Sequence, residues 1–209
     1  MKTKLIIAVV ILLSCSTQVK KETLPFYSTP DFTPLWLSSN DKEYSSIHTI
    51  APFSFTDQNA RTITNQNVEG KICVVNFFFT TCASICPKIM NNLKKVQRAF
   101  SNNDIIILSH SVMPETDNVQ RLAVYANRFN INYNWHLLTG NKDAIYNVAR
   151  KSYFADENTG YNKDSNEFLH TENCVLVDGA GRIRGIYNAT LRLEMSKLIE
   201  HIKILQQED

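Results

Sequence analysis

Two cysteines, Cys82 and Cys86, lie where an apolar stretch gives way to a segment with helical spacing. Residues 72–81 are mostly β-branched and aromatic, which predicts a buried strand. Pro87 follows the second cysteine, and proline suits the first turn of a helix because that turn needs no backbone donor. We therefore expect both thiols at a helix N-terminus, where backbone N–H groups and the helix dipole favour the thiolate form.

The spacing of this pair differs from the Cys-x-x-Cys spacing of thioredoxin-type redox motifs. Three residues separate Cys82 from Cys86, and side chains at positions i and i+4 share one face of a helical turn. Two sulfurs on one face can chelate a soft ion, and thiolates select ions such as Cu(I). The same sulfurs can instead exchange disulfides, with Cys82 attacking and Cys86 resolving. The pair therefore allows metal binding or electron transfer.

A copper site built on two thiolates needs a further ligand, and imidazole is a common partner of thiolate in such sites. His170 is the best candidate, because it precedes the predicted strand Asn173–Val177 at the sheet edge where we expect the cysteines. His110 is the second choice, since it ends another predicted strand at the same edge. Three further histidines have no such placement and are expected to be surface or packed residues: His48, His136 and His201.

The elements that must position these residues alternate between strands and helices. The predicted strands and hairpins cover residues 52–64, 72–81, 105–109, 135–138 and 174–187, and helices cover 88–100, 117–129 (capped by Asp117), a segment from 141, and 191–206. A cysteine motif at a strand-to-helix junction in this order predicts an α/β, thioredoxin-like fold. We expect a central mixed β-sheet flanked by helices, with an added N-terminal β-hairpin.

The N-terminus predicts export. Lys2 and Lys4 precede a short apolar run at residues 5–13, which is typical of a secretory signal and too short to span a bilayer. The following Ser14 and Cys15 complete a sequence that resembles the bacterial lipobox, whose cysteine becomes lipidated; an ordinary signal peptide with Cys15 discarded is the alternative. We predict a signal peptide at 1–15, a partly packed tether at 16–46 and a thioredoxin-like copper-binding domain at 47–209.

The composition and the remaining cysteines limit the expected partners and the expected disulfides. The 209 residues are 44% hydrophobic with a net charge of +2 and no long block of like charge, so no nucleic-acid partner is expected. The predicted compartment is extracytoplasmic, where thiols tend to be oxidised. Cys73 and Cys174 lie within apolar runs and are expected to be small buried core residues. A disulfide between these two stays open at this point.

Residues 78–87, FFTTCASICP, resemble the signature of the Sco/SenC family of copper proteins. The resemblance continues through residues 107–117, 135–140 and 170–187 and covers roughly residues 47–205. It implies that copper, as Cu(I) or Cu(II), is held by Cys82, Cys86 and His170. Members of this family help to load the binuclear copper centre of cytochrome c oxidase, and they are implicated in thiol–disulfide exchange on the cysteines of that target.

By this resemblance we expect a copper metallochaperone, a membrane-anchored lipoprotein tethered through Cys15 and facing the periplasm. Its expected partner is the copper-bearing subunit of cytochrome c oxidase or another cuproprotein. The alternative is an enzyme, an extracytoplasmic thiol–disulfide oxidoreductase in which Cys82 and Cys86 are catalytic. A secreted domain with a structural Cys82–Cys86 disulfide would leave His170 unexplained, and no peroxidatic cysteine motif is present for a peroxidase-like relative.

One position departs from the family pattern. Many relatives carry Asp-Pro where this chain has Met113-Pro114. A thioether therefore stands here in place of the acidic group that those relatives carry. Met113 can offer a weak thioether ligand, but packing is its expected role.

Overall fold

The computed structural model describes residues 22–100, 105–155, 169 and 171–208. The strands are β1 Phe26–Tyr27, β2 Pro34–Leu35, β3 Ser54–Thr56, β4 Thr62–Thr64, β5 Ile72–Phe78, β6 Ile105–Ser111, β7 Trp135–Leu138, β8 Asn173–Val177 and β9 Ile183–Asn188. The helices are α1 Asn65–Val68, α2 Ile85–Ala99, α3 Val119–Phe129, α4 Lys142–Lys151 and α5 Arg192–Glu208, with a 3₁₀ helix at Lys42–Ser46.

Strand β5 lies in the interior of a seven-stranded mixed sheet with the order β2-β1-β9-β8-β5-β6-β7. Strands β5, β6 and β7 are parallel, whereas β8 pairs antiparallel with both β5 and β9. Every residue of β5 and β6 is buried, as expected for parallel strands covered on both faces. Strands β3 and β4 form a separate antiparallel hairpin. The predicted α/β class, with its mixed sheet, flanking helices and added hairpin, is confirmed.

The two faces of the sheet have separate apolar cores. Alternation along β5 sends Val74 and Phe78 to one core, together with buried side chains of α2, α3 and α5. It sends Val75 and Phe77 to the other core, which contains side chains of α4 and of the β3–β4 hairpin. We call these sides the α2 face and the α4 face. Cys86 belongs to the α2-face core, and Cys82 packs against it.

Residues before the hairpin extend the sheet. Strand β1 pairs with β9, and Leu24 is buried in the α2-face core. The buried Arg184 fastens this segment, because its guanidinium donates to the carbonyl oxygens of Leu24 at 2.7 Å and Pro25 at 3.1 Å. No helix within the described residues is both long and apolar enough to cross a membrane. The predicted signal peptide and lipobox, with Cys15, lie outside the described residues.

Two predicted boundaries at the cysteine edge are wrong. Strand β5 ends at Phe78 rather than at residue 81, because the chain turns there and Cys82 N donates to Phe79 O at 3.3 Å. The cap of α3 is Asn118, whose side chain accepts a hydrogen bond from Arg121 N at 2.9 Å. Asp117 was the predicted cap, but its carboxylate is buried and binds elsewhere.

Candidate metal and redox site

The two site cysteines lie at the start of α2. Cys82 is in the turn after β5 and is half-buried, whereas Cys86 is in the first helical turn and only 3% exposed. The backbone N–H of Cys86 points at the sulfur of Cys82, with an N···Sγ distance of 3.4 Å. Pro87 follows within the first turn, where it removes no helical hydrogen bond. The described structure thus brings both sulfurs together at a helix N-terminus, and both thiols are free.

The two thiols differ sharply in acidity. Partial burial disfavours the Cys82 thiolate, but hydrogen bonds from Cys86 and Ser84 outweigh this and lower its pKa below the ordinary thiol value. Burial is the main cause that raises the pKa of Cys86 to about 12; a hydrogen bond with the Phe79 backbone opposes it, and the neighbouring Cys82 sulfur adds to it. Cys82 is therefore the more acidic and more accessible thiol of the pair, and Cys86 is the buried and less acidic one.

The carboxylate of Asp117, which lies 37 residues after Thr80 in the sequence, holds the cysteine turn in place. Asp117 is 1% exposed, and its Oδ2 accepts hydrogen bonds from Thr80 N at 3.0 Å and Ser111 Oγ at 2.6 Å. The Thr80 hydroxyl donates to Oδ1 of the same carboxylate and accepts from Arg121 Nε at 2.8 Å. Asp117 therefore ties the turn after β5 to the turn after β6, which fixes the backbone that leads into Cys82.

A tyrosine borders the buried side of the pair. The ring of Tyr125 lies 5.5 Å from that of Phe78, and its hydroxyl is buried without a hydrogen-bond partner in the described structure. Burial raises the pKa of this phenol, and the nearby Cys86 and Cys82 raise it further. The wall behind the sulfurs is thus apolar and neutral, apart from one unpaired hydroxyl group.

His170, the predicted third ligand, lies outside the described residues. Within the described ranges, no three His, Cys, Asp or Glu side chains are arranged to hold a metal ion together. The predicted set of Cys82, Cys86 and His170 therefore stays a prediction, of which the described structure contains the two sulfurs.

The second-choice ligand, His110, is not brought to the cysteines. Its register partner on β5 is Phe77, so its side chain faces the α4 side. There it packs against aromatic rings, with centroid distances of 5.4 Å to Phe77, 5.4 Å to Phe55 and 5.9 Å to Tyr153. Neither ring nitrogen has a hydrogen-bond partner in the described structure, and burial lowers its pKa to about 3.

The other three histidines have structural partners. His48 Nε2 lies 2.8 Å from Ser152 O, His136 Nδ1 lies 3.0 Å from Asp57 Oδ2, and His201 Nδ1 lies 2.7 Å from Tyr187 Oη. None of these three contacts includes a residue of the cysteine turn. Their predicted role as surface or packed residues is consistent with these contacts.

Cys73 and Cys174 are buried core residues, as predicted. Cys73 pairs with Val177 in the β5–β8 ladder and faces the α4 side, whereas Cys174 pairs with Asn76 and faces the α2 side. The sheet itself separates the two sulfurs. The disulfide that the sequence left open between them is therefore excluded.

The sequence did not indicate that two further residues, Asp117 and Tyr125, lie near the cysteine pair. Asp117 has the local signal of a helix cap, and its distant partner Thr80 gives no pattern that could be read along the chain. Tyr125 follows Leu122 by three residues, so helical periodicity does place it on the buried side of α3. That signal was available, although nothing in it indicates the proximity to the cysteines.

Comparisons with known proteins show the family to which this chain is related. The SCO1/SenC family model matches residues 41–206. The SCO1 protein homolog of Bacillus subtilis (strain 168) is 27% identical over 158 residues, which make up 74% of this chain and 81% of that protein.

Solved structures give the same fold. BsSco, a member of the Sco family of cytochrome c oxidase assembly proteins in which a disulfide switch is identified, is 26% identical with a TM-score of 0.64; the match covers 78% of this chain and 96% of BsSco. Bradyrhizobium japonicum ScoI with copper bound is 25% identical with a TM-score of 0.58, over 73% of this chain and 99% of ScoI. On the family match over most of its length, this thioredoxin-like chain belongs to the SCO1/SenC family.

Proposed function

We propose that this protein is a copper chaperone that holds copper on Cys82, Cys86 and His170 and passes it to the copper-bearing subunit of cytochrome c oxidase or to another cuproprotein. The observation that carries the proposal is the placement of two free sulfurs side by side at the N-terminus of α2. Thiolate is a soft ligand that suits copper, and the helix N-terminus stabilises its charge.

The local structure supports binding followed by release. Cys86 is enclosed by the α2-face core, whereas Cys82 is accessible at the turn. A partner's thiolates can therefore approach copper from the side of Cys82 and take it over by ligand exchange. Binding needs both sulfurs reduced, so a Cys82–Cys86 disulfide would remove two ligands and release the ion. Copper occupancy would then depend on the redox state of the compartment.

The comparisons support the same conclusion. The related ScoI of Bradyrhizobium japonicum has a structure with copper bound, and BsSco is described as a member of a family that assembles cytochrome c oxidase. We extend both properties to this chain. Delivery to one particular oxidase subunit is part of the proposal.

We also propose that the domain works outside the cytoplasm, held at a membrane by a lipid on Cys15. The basic, then apolar N-terminus and its lipobox-like ending support this location. Fractionation of cells tests it. We expect the wild-type chain in the membrane fraction and the Cys15→Ser variant either unprocessed or released from the lipid. Equal membrane association and equal mass of the mature forms would contradict the lipid anchor.

Copper stoichiometry tests the main proposal. The reduced 209-residue chain is expected to bind about one copper ion, and Cys82→Ser should reduce binding to near zero because it removes one of two thiolate ligands. Cys174→Ser is the matched control, since Cys174 lies in the core away from the turn and should leave the stoichiometry unchanged. Full copper binding by Cys82→Ser would reject the proposed site.

A thiol–disulfide oxidoreductase is the second candidate, and the acidity difference favours it specifically. A lowered Cys82 pKa and a buried Cys86 suit an attacking thiolate and its resolving thiol. His170→Ala separates the two functions. Copper affinity should fall by at least about tenfold if His170 is a ligand, whereas exchange with a disulfide substrate should survive. Unchanged copper affinity in this variant would remove His170 from the ligand set.

A further inference from the structure

The sulfur of Met113 faces the cysteine turn. Met113 lies two residues after β6, in the turn that runs beside the cysteine turn. The two turns are joined, because Val112 N donates to Phe78 O at 2.9 Å just beyond the β5–β6 ladder. The sulfur of Met113 lies 3.9 Å from the hydroxyl of Thr81, the residue immediately before Cys82.

The backbone of Met113 is held firmly while its side chain is half-exposed. Its N–H donates to Ser111 Oγ at 3.2 Å, and its carbonyl oxygen accepts from Asp117 N at 2.8 Å and Thr116 N at 3.0 Å. Within the described residues, Met113 is a member of neither apolar core. The packing role expected from the sequence is therefore not a role in either core of the sheet.

The other strong donors of the same turn are directed elsewhere. The carboxylate of Asp117 is engaged by Thr80 and Ser111, and Glu115 Oε1 lies 3.4 Å from Lys142 Nζ. A neutral thioether is thus the donor that this turn places beside Thr81, the residue before Cys82. Methionine has an unbranched, adaptable side chain, so its sulfur can shift toward a bound ion at little cost.

We propose that Met113 is a soft, neutral ligand to copper at the Cys82–Cys86 site and that it biases this site toward Cu(I). The inference rests on the proposed copper-binding function. A thioether is a soft donor, and soft donors favour Cu(I) over the harder Cu(II). It also adds no charge and needs no deprotonation, so it strengthens Cu(I) binding without competing with the two thiolates for protons.

Three variants of the 209-residue chain test this proposal. Met113→Leu keeps the apolar volume and removes the sulfur, so affinity for Cu(I) should fall about tenfold, equivalent to ~1.4 kcal/mol, with Cu(II) affinity changed less than about twofold. Met113→Asp supplies a hard anionic oxygen and should raise the Cu(II) affinity relative to Cu(I). Met195→Leu, a buried methionine of α5, is the control and should change neither affinity.

Competition with chromophoric Cu(I) and Cu(II) chelators gives the two affinities, and X-ray absorption of the Cu(I) protein counts sulfur neighbours. We expect one sulfur neighbour fewer in Met113→Leu than in the wild type. Unchanged Cu(I) affinity in Met113→Leu overturns the proposal, as does an equal loss for both oxidation states, which would indicate a structural role. A wild-type chain that binds no copper would reject the proposed function itself, a distinct result from failure of Met113 alone.

Discussion

One thiol lies near each end of strand β5, and the two thiols differ in burial and acidity. Cys73, the second residue of the strand, borders a cavity of about 360 Å³ lined by side chains such as Leu108, Val177 and Tyr153. Cys82, four residues beyond the other end, lies at the start of α2. Burial raises the pKa of Cys73 to about 12, whereas the pKa of Cys82 is lowered by the hydrogen bonds that outweigh its partial burial.

The difference shows what makes a thiol chemically competent in this fold. Cys73 lies beside a cavity, but its sulfur has a weak contact to the carbonyl oxygen of Lys71 at 3.7 Å, and an acceptor such as this cannot stabilise a thiolate. Cys82 receives the N–H of Cys86, one of the donors that a helix leaves unpaired in its first turn. Helix-end donors, rather than proximity to a cavity, therefore distinguish the candidate site from the core.

The largest expected effect of this difference is on alkylation rate. In the copper-free, reduced chain at pH 7.5, Cys82 should react with iodoacetamide on the order of 1,000-fold faster than Cys73, because the pKa of Cys82 is lowered at an accessible turn whereas burial raises the pKa of Cys73 to about 12. Peptide mass spectrometry over time gives both rates. In concentrated guanidinium chloride the two rates should converge, since the helix and the core are gone. Comparable rates in the native chain would contradict the assigned acidities.

The sequence predicts features that local interactions determine, and it does not predict features that depend on contacts between distant residues. Apolar runs predict β6 and β7, and Asn141 predicts the start of α4, because each signal is local. The end of β5 was missed since residues 79–81 suit a strand equally well, and only the turn hydrogen bond of Cys82 decides. Asp117 was misassigned because its partner Thr80 is 37 residues distant.

His110 lies at the same edge of the sheet as the cysteines but does not belong to their site. His110 was expected near the cysteines because it lies at the correct end of β6, and that position is right. Side chains alternate between faces, however, so a shift of one residue decides which core a side chain enters. His110 falls on the α4 face, among the rings of Phe53, Phe55, Phe77 and Tyr153. A linear sequence does not specify that face.

The second prediction uses this buried imidazole. With a folded pKa of about 3 and an ordinary value of 6.5, His110 takes up a proton in the unfolded state alone as pH falls below 6.5. The free energy of unfolding should therefore decrease by about 1.4 kcal/mol per pH unit from this residue between those values. Tyr153, a titratable neighbour in the aromatic cluster, is neutral at these pH values, and burial raises its pKa further away from them.

Replacement of His110 removes this acid sensitivity. Relative to the wild type, His110→Leu should gain about 2 kcal/mol more stability at pH 5 than at pH 7. Urea denaturation of both proteins at the two pH values measures the difference. A stability difference that is the same at both pH values would mean that the folded His110 is protonated as easily as the unfolded one, contrary to its unpartnered burial.

The smallest expected effect returns to the two ends of β5. Cys73→Ala should lower the free energy of unfolding by about 1 kcal/mol, because it removes a buried sulfur from the α4-face core at 4% exposure. Cys82→Ala should change it by less than about 0.5 kcal/mol, since the side chain it removes is half-buried at a turn. Denaturant titration of the two copper-free variants compares them directly. A larger loss of stability in Cys73→Ala than in Cys82→Ala is expected if Cys73 has a structural role and Cys82 a chemical one. A larger loss in Cys82→Ala would contradict this assignment.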